Sequence, residues 1–211
     1  MIHGPLAYPL AVTIGALAVT AAWAPFADPD ELSALAAVAV IVLLYTAFQL
    51  ALAFGRVPGL RPPEVGSATR LRQQHHLVSR SWLEIGTPTG TRWLPVHYEP
   101  ALRTFTGGAF TARPGVATAG GLRVFPSGRP RSTEPPGRLH DNPTRADPHP
   151  PATPTPRTRL LLDAQQAVGA PLAGLLWVYV ENGDVAAFAA ATTVAGAAFT
   201  WLAAIRGSDP S

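Results

Sequence analysis

The sequence predicts an α+β membrane protein in which four transmembrane helices form two hairpins, with a small β-barrel of SH3-like or OB-like type inserted between them. Three observations carry that prediction. Two long apolar blocks lie near the start of the 211-residue chain and two near its end. The stretch between them holds most of the charge. Within that stretch, short alternating runs punctuated by Gly and Pro give way to Pro-rich sequence.

A span needs roughly 20 mainly apolar residues, since each helical residue rises about 1.5 Å through a hydrocarbon core of about 30 Å. Residues 5–26 and 31–54 meet this and form the first hairpin, within residues 1–55. The second block is the more apolar, with the run LAAVAVIVLLYTAFQLALAF. The link Ala27-Asp28-Pro29-Asp30 has room only for a hairpin turn, and Asp30 is read as the cap of the second helix. A signal peptide is the competing reading of the first block, with Ala22-Trp23-Ala24 as a small-x-small cleavage site. The start Met1-Ile2-His3-Gly4 lacks a basic residue and Pro25 would follow the cut, so the block reads as a retained span.

The second hairpin falls in residues 160–206, with spans at about 164–180 and 185–205. The first of these two is the weaker, because Asp163, Gln165 and Gln166 stand at its start and Pro171 lies inside it. Ala-rich helices of a soluble core are the alternative for both. The lack of any acid or base between Gln166 and Val180, and between Val185 and Ile205, favours the membrane. The turn Glu181-Asn182-Gly183-Asp184 is tight, and Asp184 is placed to cap the last helix.

Charge sets the expected orientation. From Gly55 to Asp163 there are 15 Arg and 7 acids, and Arg206 is the remaining basic residue. Both hairpin turns carry acids and no Arg. Positive charge stays on the cytoplasmic side of a bacterial plasma membrane, so both termini and the central domain are expected there. The chain has no Lys, which fits a GC-rich genome, and no Cys, which excludes disulfides, thiolate metal sites and a Cys nucleophile.

Residues 65–126 read as the barrel. HLVSRSWLEIG and TRWLPVHY are strand-like and joined by Thr87-Pro88-Thr89-Gly90. In the second run Leu94, Val96 and Tyr98 share one face, and Pro95, with no N–H, points to an edge strand or a bulge. Glu99-Pro100-Ala101-Leu102 suggests one helical turn. Shorter strands follow at residues 109–113, 116–118 and 122–125, separated by Gly107-Gly108, Pro114-Gly115 and Gly120-Gly121. Residues 127–159 are expected to be a disordered Pro/Arg-rich linker, since ten Pro fall within the 34 residues 126–159 and large apolar side chains are scarce.

No stretch carries a specific catalytic or cofactor signature, and no cofactor or metal is expected. His75-His76 would point to opposite faces of a strand, which suits surface histidines better than ligands of one ion. Glu84 and Glu99 are the acids of the barrel, and nothing in the spacing makes them converge. Ser127, Ser132 and Thr133 lie in basic surroundings open to phosphorylation, and Pro148, Pro151 and Pro154 have P-x-x-P spacing. Small residues at Gly169, Gly174, Ala191, Ala195 and Gly196 let helices approach closely, within the protein or between copies in a homo-oligomer. The candidate surface residues are Arg80, Trp82, Arg92, Trp93 and Arg103. They read as a partner-facing or lipid-facing set in contact with anionic headgroups, in preference to a nucleic-acid face.

The run W-L-P-V-H-Y-E-P-A-L, Trp93 to Leu102, and R-V-F-P-S-G-R, Arg123 to Arg129, resemble segments of small multi-pass membrane proteins of GC-rich Gram-positive (actinobacterial) bacteria. That resemblance covers about residues 45–138 and implies no activity. More loosely, spans coupled to a small barrel resemble NfeD-type proteins, which implies partnership with a membrane scaffold protein. The expected function is that of a non-enzymatic membrane adaptor whose cytoplasmic barrel binds a membrane protein partner. An accessory subunit of a transport or envelope-biosynthesis complex is the alternative, and an enzyme acting on lipid or peptide is the third class.

Overall fold

The computed structural model describes residues 4–141 and 153–211. Helices α1 (Ala7–Trp23) and α2 (Pro29–Ala53) are joined through a 3₁₀ turn at Ala24–Phe26. Asp28, not Asp30, caps α2. Its carboxylate accepts from the amides of Asp30 and Glu31, while Glu31 accepts from the Asp28 amide, closing a reciprocal capping box. Pro29 then occupies the first helical position, where its missing N–H costs nothing.

Among the described residues three helices are long and apolar enough to cross a membrane: Ala7–Phe26, Pro29–Ala53 and Val185–Ile205, the last being α5. The fourth expected span is broken. Residues 156–181 run as α3 (Pro156–Ala164), a 3₁₀ stretch Gln165–Gly169, and α4 (Ala170–Glu181). Pro171 is the cause. It donates no amide and its ring clashes with a carbonyl one turn back, so the preceding turn tightens to 3₁₀. The 12 residues of α4 extend about 18 Å, short of the hydrocarbon thickness.

The turn into α5 is as expected. Asn182 ends α4 in the left-handed region, at φ 53°, and the Asp184 carboxylate accepts from the amides of Ala186 and Ala187. The small residues do their work inside the chain. Gly174 packs directly on Thr192 and Phe188 of α5, and Gly196 faces Ala170 and Ala167. A second seam holds α1, α2 and α5 together through Ala16, Val42, Trp201 and Ile205. Trp201 there donates its indole N–H to Thr46 at 3.1 Å. Leu43, Leu44, Leu175, Leu176 and Tyr179 remain exposed, as lipid-contacting side chains would be.

The central region is one antiparallel sheet of seven strands: β1 (Val65–His75), β2 (Val78–Thr87), β3 (Gly90–Val96), β4 (Gly108–Arg113), β5 (Val116–Ala119), β6 (Leu122–Val124) and β7 (Arg138–Asp141). Its order is β3-β2-β1-β4-β5-β6, with β7 added to the far half of β1. Leu83, Ile85, Leu94, Val96 and Phe110 are fully buried and form the core with Leu102 from the 3₁₀ turn Pro100–Thr104.

The sheet is open and not the closed barrel expected. The chain leaving β6 meets β3 only at isolated bridges, Val96 with Pro126 and Trp93 with Arg131. Pro126 and Pro130 have no N–H to offer a ladder, and β6 is only three residues long. Pro95 does lie on an end strand, β3.

Parts of the expected linker take regular structure. Residues 127–141 lie along the sheet and include β7, and α3 begins at Pro156, capped by Thr155. The remainder, residues 142–152, lies outside the described residues and contains Pro148 and Pro151 of the P-x-x-P spacing.

Candidate functional site

The polar residues of this chain converge where the helix ends meet the sheet. Beyond α5, residues 207–211 enter the sheet domain. Arg80 of β2 bridges Ser208, and the Asp209 amide donates to the Ser79 carbonyl, so this segment continues the sheet beside β2 past the end of β3. Gly207, at φ 80°, lies where any side chain would strike Ser127.

Asp209 is the anchor. Its carboxylate, 3% exposed, accepts from Arg70 at 2.5 Å and Ser81 at 2.6 Å, and its other oxygen accepts from Ser211. Burial works against the ionised carboxyl, but Arg70, Ser211 and Ser81 outweigh it and hold Asp209 below the usual carboxylate range. Arg70 is itself buried on β1. On the opposite face of β1 and β2, Gln73 accepts from the Trp82 indole at 2.7 Å and donates to the Pro136 carbonyl at 2.5 Å.

A second group ties α1 and α3 to residues 207–211. The Tyr8 hydroxyl donates to Asp163 at 2.6 Å, and Ser208 donates to the same oxygen at 3.0 Å. Arg159 lies over the Tyr8 ring at 3.9 Å and near the Tyr98 ring at 5.2 Å. Burial lowers the Arg159 pKa, with Tyr8 and Asp163 opposing, and burial raises that of Asp163 against its two hydrogen bonds and Arg159. His97 is fully enclosed beside this group. Burial, with the Arg159 charge added, holds its pKa down to about 3, so it is neutral. Gln166 completes the junction by donating to the Leu77 carbonyl at the β1–β2 turn, at 2.6 Å.

Between the β1–β2 hairpin, α3 and the end of α5 lies a cleft of about 570 Å³. Arg72, Arg80 and Arg206 line its polar side, and Phe199 and Leu202 its apolar side. Arg72 donates Nε to Ser79, and Arg206 donates Nε to the Tyr45 hydroxyl at 2.9 Å. Arg80 has no hydrogen bond or ion pair to a described side chain. Its pKa is lowered by burial and then by the charge of Arg206.

The five residues predicted as one surface set are not one face. Arg80 lines the cleft. Trp82 is buried, 4% exposed, with its indole N–H bonded to Gln73. Arg92 is exposed on β3 opposite Ile85, Trp93 is half-buried opposite Glu84, and Arg103 lies in the 3₁₀ turn with its charge facing Tyr98. His75 and His76 occupy the exposed β1–β2 turn with their rings 4.3 Å apart. Among the described residues no three His, Asp or Glu group in a way that could hold a metal ion. Ser127 is buried against Gly207.

Sequence reasoning missed Arg70, Asp209, Tyr8 and Asp163, whose partners are remote in sequence. The one available signal was the placing of an Arg and a Gln, Arg70 and Gln73, in the stretch read as the start of the β domain. Comparison with family models, with curated proteins and with solved structures gave no match.

Proposed function

We propose that the chain is a non-enzymatic integral membrane adaptor, in which the helices anchor and the sheet domain is displayed to a membrane protein partner. The observation that supports this reading is the seating of residues 207–211 in the sheet, through the buried Arg70–Asp209 pair. A domain attached at both Phe54 and Ile205, and clamped between, presents its surface in one orientation. Such preorganisation lowers the entropy cost of binding. An accessory subunit of a transport or envelope-biosynthesis complex uses the same platform and differs only in being stoichiometric with its complex.

The orientation follows from charge. Asp28, Asp30, Glu31, Glu181 and Asp184 lie at the hairpin turns, and the Arg-rich sheet at the opposite helix ends. With the broken helical segment 156–181 taken as the return crossing before α5, the sheet domain and both termini are assigned to the cytoplasmic side of a bacterial plasma membrane, against anionic headgroups. The resemblance to actinobacterial membrane proteins, and more loosely to NfeD-type proteins, belongs to this proposal. In intact cells an impermeant maleimide should label Asp28→Cys and spare Arg129→Cys, the reverse pattern refuting the assignment. Arg129 is exposed, which makes it a better reporter than buried Ser127. For the adaptor reading, a photo-crosslinker at exposed Arg92 or Arg113 should give one discrete adduct in native membranes. The same probe at Ile41 on α2 should give mostly lipid. Absence of any protein adduct from the sheet positions would sink the reading.

A further inference from the structure

We infer that the cleft lined by Arg80 and Arg206 is a binding site for a phosphate-bearing anion, with the phosphate held between these two guanidinium groups and any glyceride portion against Phe199 and Leu202. This goes beyond the adaptor reading and holds whether or not the sheet has a protein partner.

Four arginines and two aspartates line the cleft: Arg72, Arg80, Arg159, Arg206, Asp163 and Asp209. Asp209 is matched by Arg70, which stands outside the lining. Asp163 is engaged by Tyr8 and Ser208 and faces Arg159. That leaves Arg80 and Arg206 with no acid among the described residues, where the single ion pair is Arg70–Asp209. Arg72 is held by Ser79 and stands, by strand register, on the opposite face of the hairpin from Arg80. Arg206 commits only Nε, to Tyr45, which fixes the side chain and leaves its terminal nitrogens unassigned. Arg80 commits none.

Arg206 also lies close enough to Arg80 to disfavour its charge. A half-sheltered cation beside an exposed one, with no acid between them, is unfavourable on its own. An anion between them removes the repulsion and supplies acceptors for several charge-assisted hydrogen bonds. Planar guanidinium forks match phosphate oxygens in geometry. The position of the cleft adds the apolar half of the argument. Phe199, Leu202 and Arg206 belong to the last turns of α5 and the residue after it, where the apolar helix ends. A headgroup and its glyceride meet a spanning helix at that level.

The phosphate could come from a lipid headgroup or from free phosphate, and the experiment separates them. The full chain is purified in detergent, stripped of lipid and melted with increasing dioctanoyl phosphatidylglycerol, dioctanoyl phosphatidylcholine or inorganic phosphate. A saturable rise in melting temperature with phosphatidylglycerol, weakened about tenfold or more by Arg80→Gln and by Arg206→Gln, is expected, because each loses charge-assisted hydrogen bonds to the anion. Arg92→Gln on the far strand should leave it unchanged. A response to inorganic phosphate with the same dependence on both arginines assigns the site to free phosphate. Equal responses to phosphatidylglycerol and phosphatidylcholine, no response to any of the three, or a response untouched by both substitutions would overturn the inference. Should either substitution unfold the chain, native mass spectrometry of the unaltered protein decides: retention of phosphatidylglycerol over phosphatidylcholine at equal concentration supports the site, and equal retention refutes it.

Discussion

Arg70 and Arg80 stand on adjacent strands of one hairpin, and the fold treats them in opposite ways. Arg70 is 4% exposed and bonded to a carboxylate that is itself buried. Arg80 is only half sheltered, meets no acid among the described residues, and faces a second arginine. Nearby, His97 shows a third treatment: a group that could become cationic is buried so completely that it stays neutral. The difference separates charge that holds the junction together from charge the junction leaves unmatched. A buried cation persists only with its partner in place, since removing the partner strands it in a low-dielectric interior. An unmatched cation near water costs little and stays available to a ligand.

The largest expected effect breaks the matched pair. Asp209→Ala should destabilise the junction by about 3–5 kcal/mol, because it leaves the Arg70 guanidinium buried without its counter-charge. Arg70→Met should cost a similar amount. The double variant Arg70→Met/Asp209→Leu should recover much of that loss, since an apolar pair of similar volume avoids the desolvation of both ions. Thermal melting in detergent, followed by intrinsic Trp fluorescence, reads all three. A double variant no better than the worse single would mean that the segment 207–211 is held by its backbone bridges and not by the ion pair.

The neutral histidine gives a pH signature. Folded His97 has a pKa of about 3, against about 6.5 in the unfolded chain, so between those values the unfolded state binds the extra proton. Stability from this residue is full above about pH 6.5 and falls by about 1.4 kcal/mol per pH unit below it, a loss of about 2 kcal/mol at pH 5. Asp209 has the ordinary carboxylate sign: its folded pKa is depressed, so its contribution is present above about pH 3.9 and lost below that. The two therefore act in different windows. His97→Gln should flatten the pH dependence between 5 and 6.5, and an unchanged slope in that variant would place the effect elsewhere.

A smaller effect tests the helix side of the junction. Tyr8→Phe removes one of two hydrogen bonds to the Asp163 carboxylate while keeping the ring under Arg159. The expected cost is about 1.5 kcal/mol, the range for a hydrogen bond to a charged acceptor. Asp163→Asn should cost no more than about the same, since the amide oxygen can still accept from Tyr8 and Ser208. A loss twice as large in Asp163→Asn would show that its negative charge, opposite Arg159, matters more than its hydrogen bonds.

Which features were legible in the sequence follows from how local their causes are. The β2–β3 hairpin, the 3₁₀ turn at Pro100 and the cap at Asp184 depend on residues a few positions apart, and all could be read directly. Asp30 was read as the cap of α2, and the reciprocal bond from Glu31, three residues after Asp28, selects Asp28 instead. The break at Pro171 was visible as a residue but concealed by the apolar run on either side. β1 was the least legible strand, because Arg70 and Gln73 look like loop polarity until Asp209 and Trp82 are known to cover them. The candidate site was hidden for the same reason. Arg80 was found as a surface arginine, but Arg206 is brought beside it by a helix that lies more than a hundred residues further on.

The smallest expected effect is also the one most specific to the comparison. In delipidated protein, the repulsion between Arg80 and Arg206 is partly open to solvent and should respond to salt, while the enclosed Arg70–Asp209 pair should not. Raising the salt from about 0.05 M to about 0.5 M shortens the Debye length from about 14 Å to about 4 Å. The unaltered chain should then gain about 0.5 kcal/mol relative to Arg80→Gln, in which the repulsion is already gone. At low salt Arg80→Gln should be as stable as the parent or slightly more so, the opposite of what removing a paired arginine does. With phosphatidylglycerol bound the sign reverses, because salt then screens an attraction. A salt response of the same sign with and without the lipid would show that the anion does not sit between these two arginines. A low-salt loss in Arg80→Gln comparable to that of Arg70→Met would show that Arg80 is, after all, a structural cation.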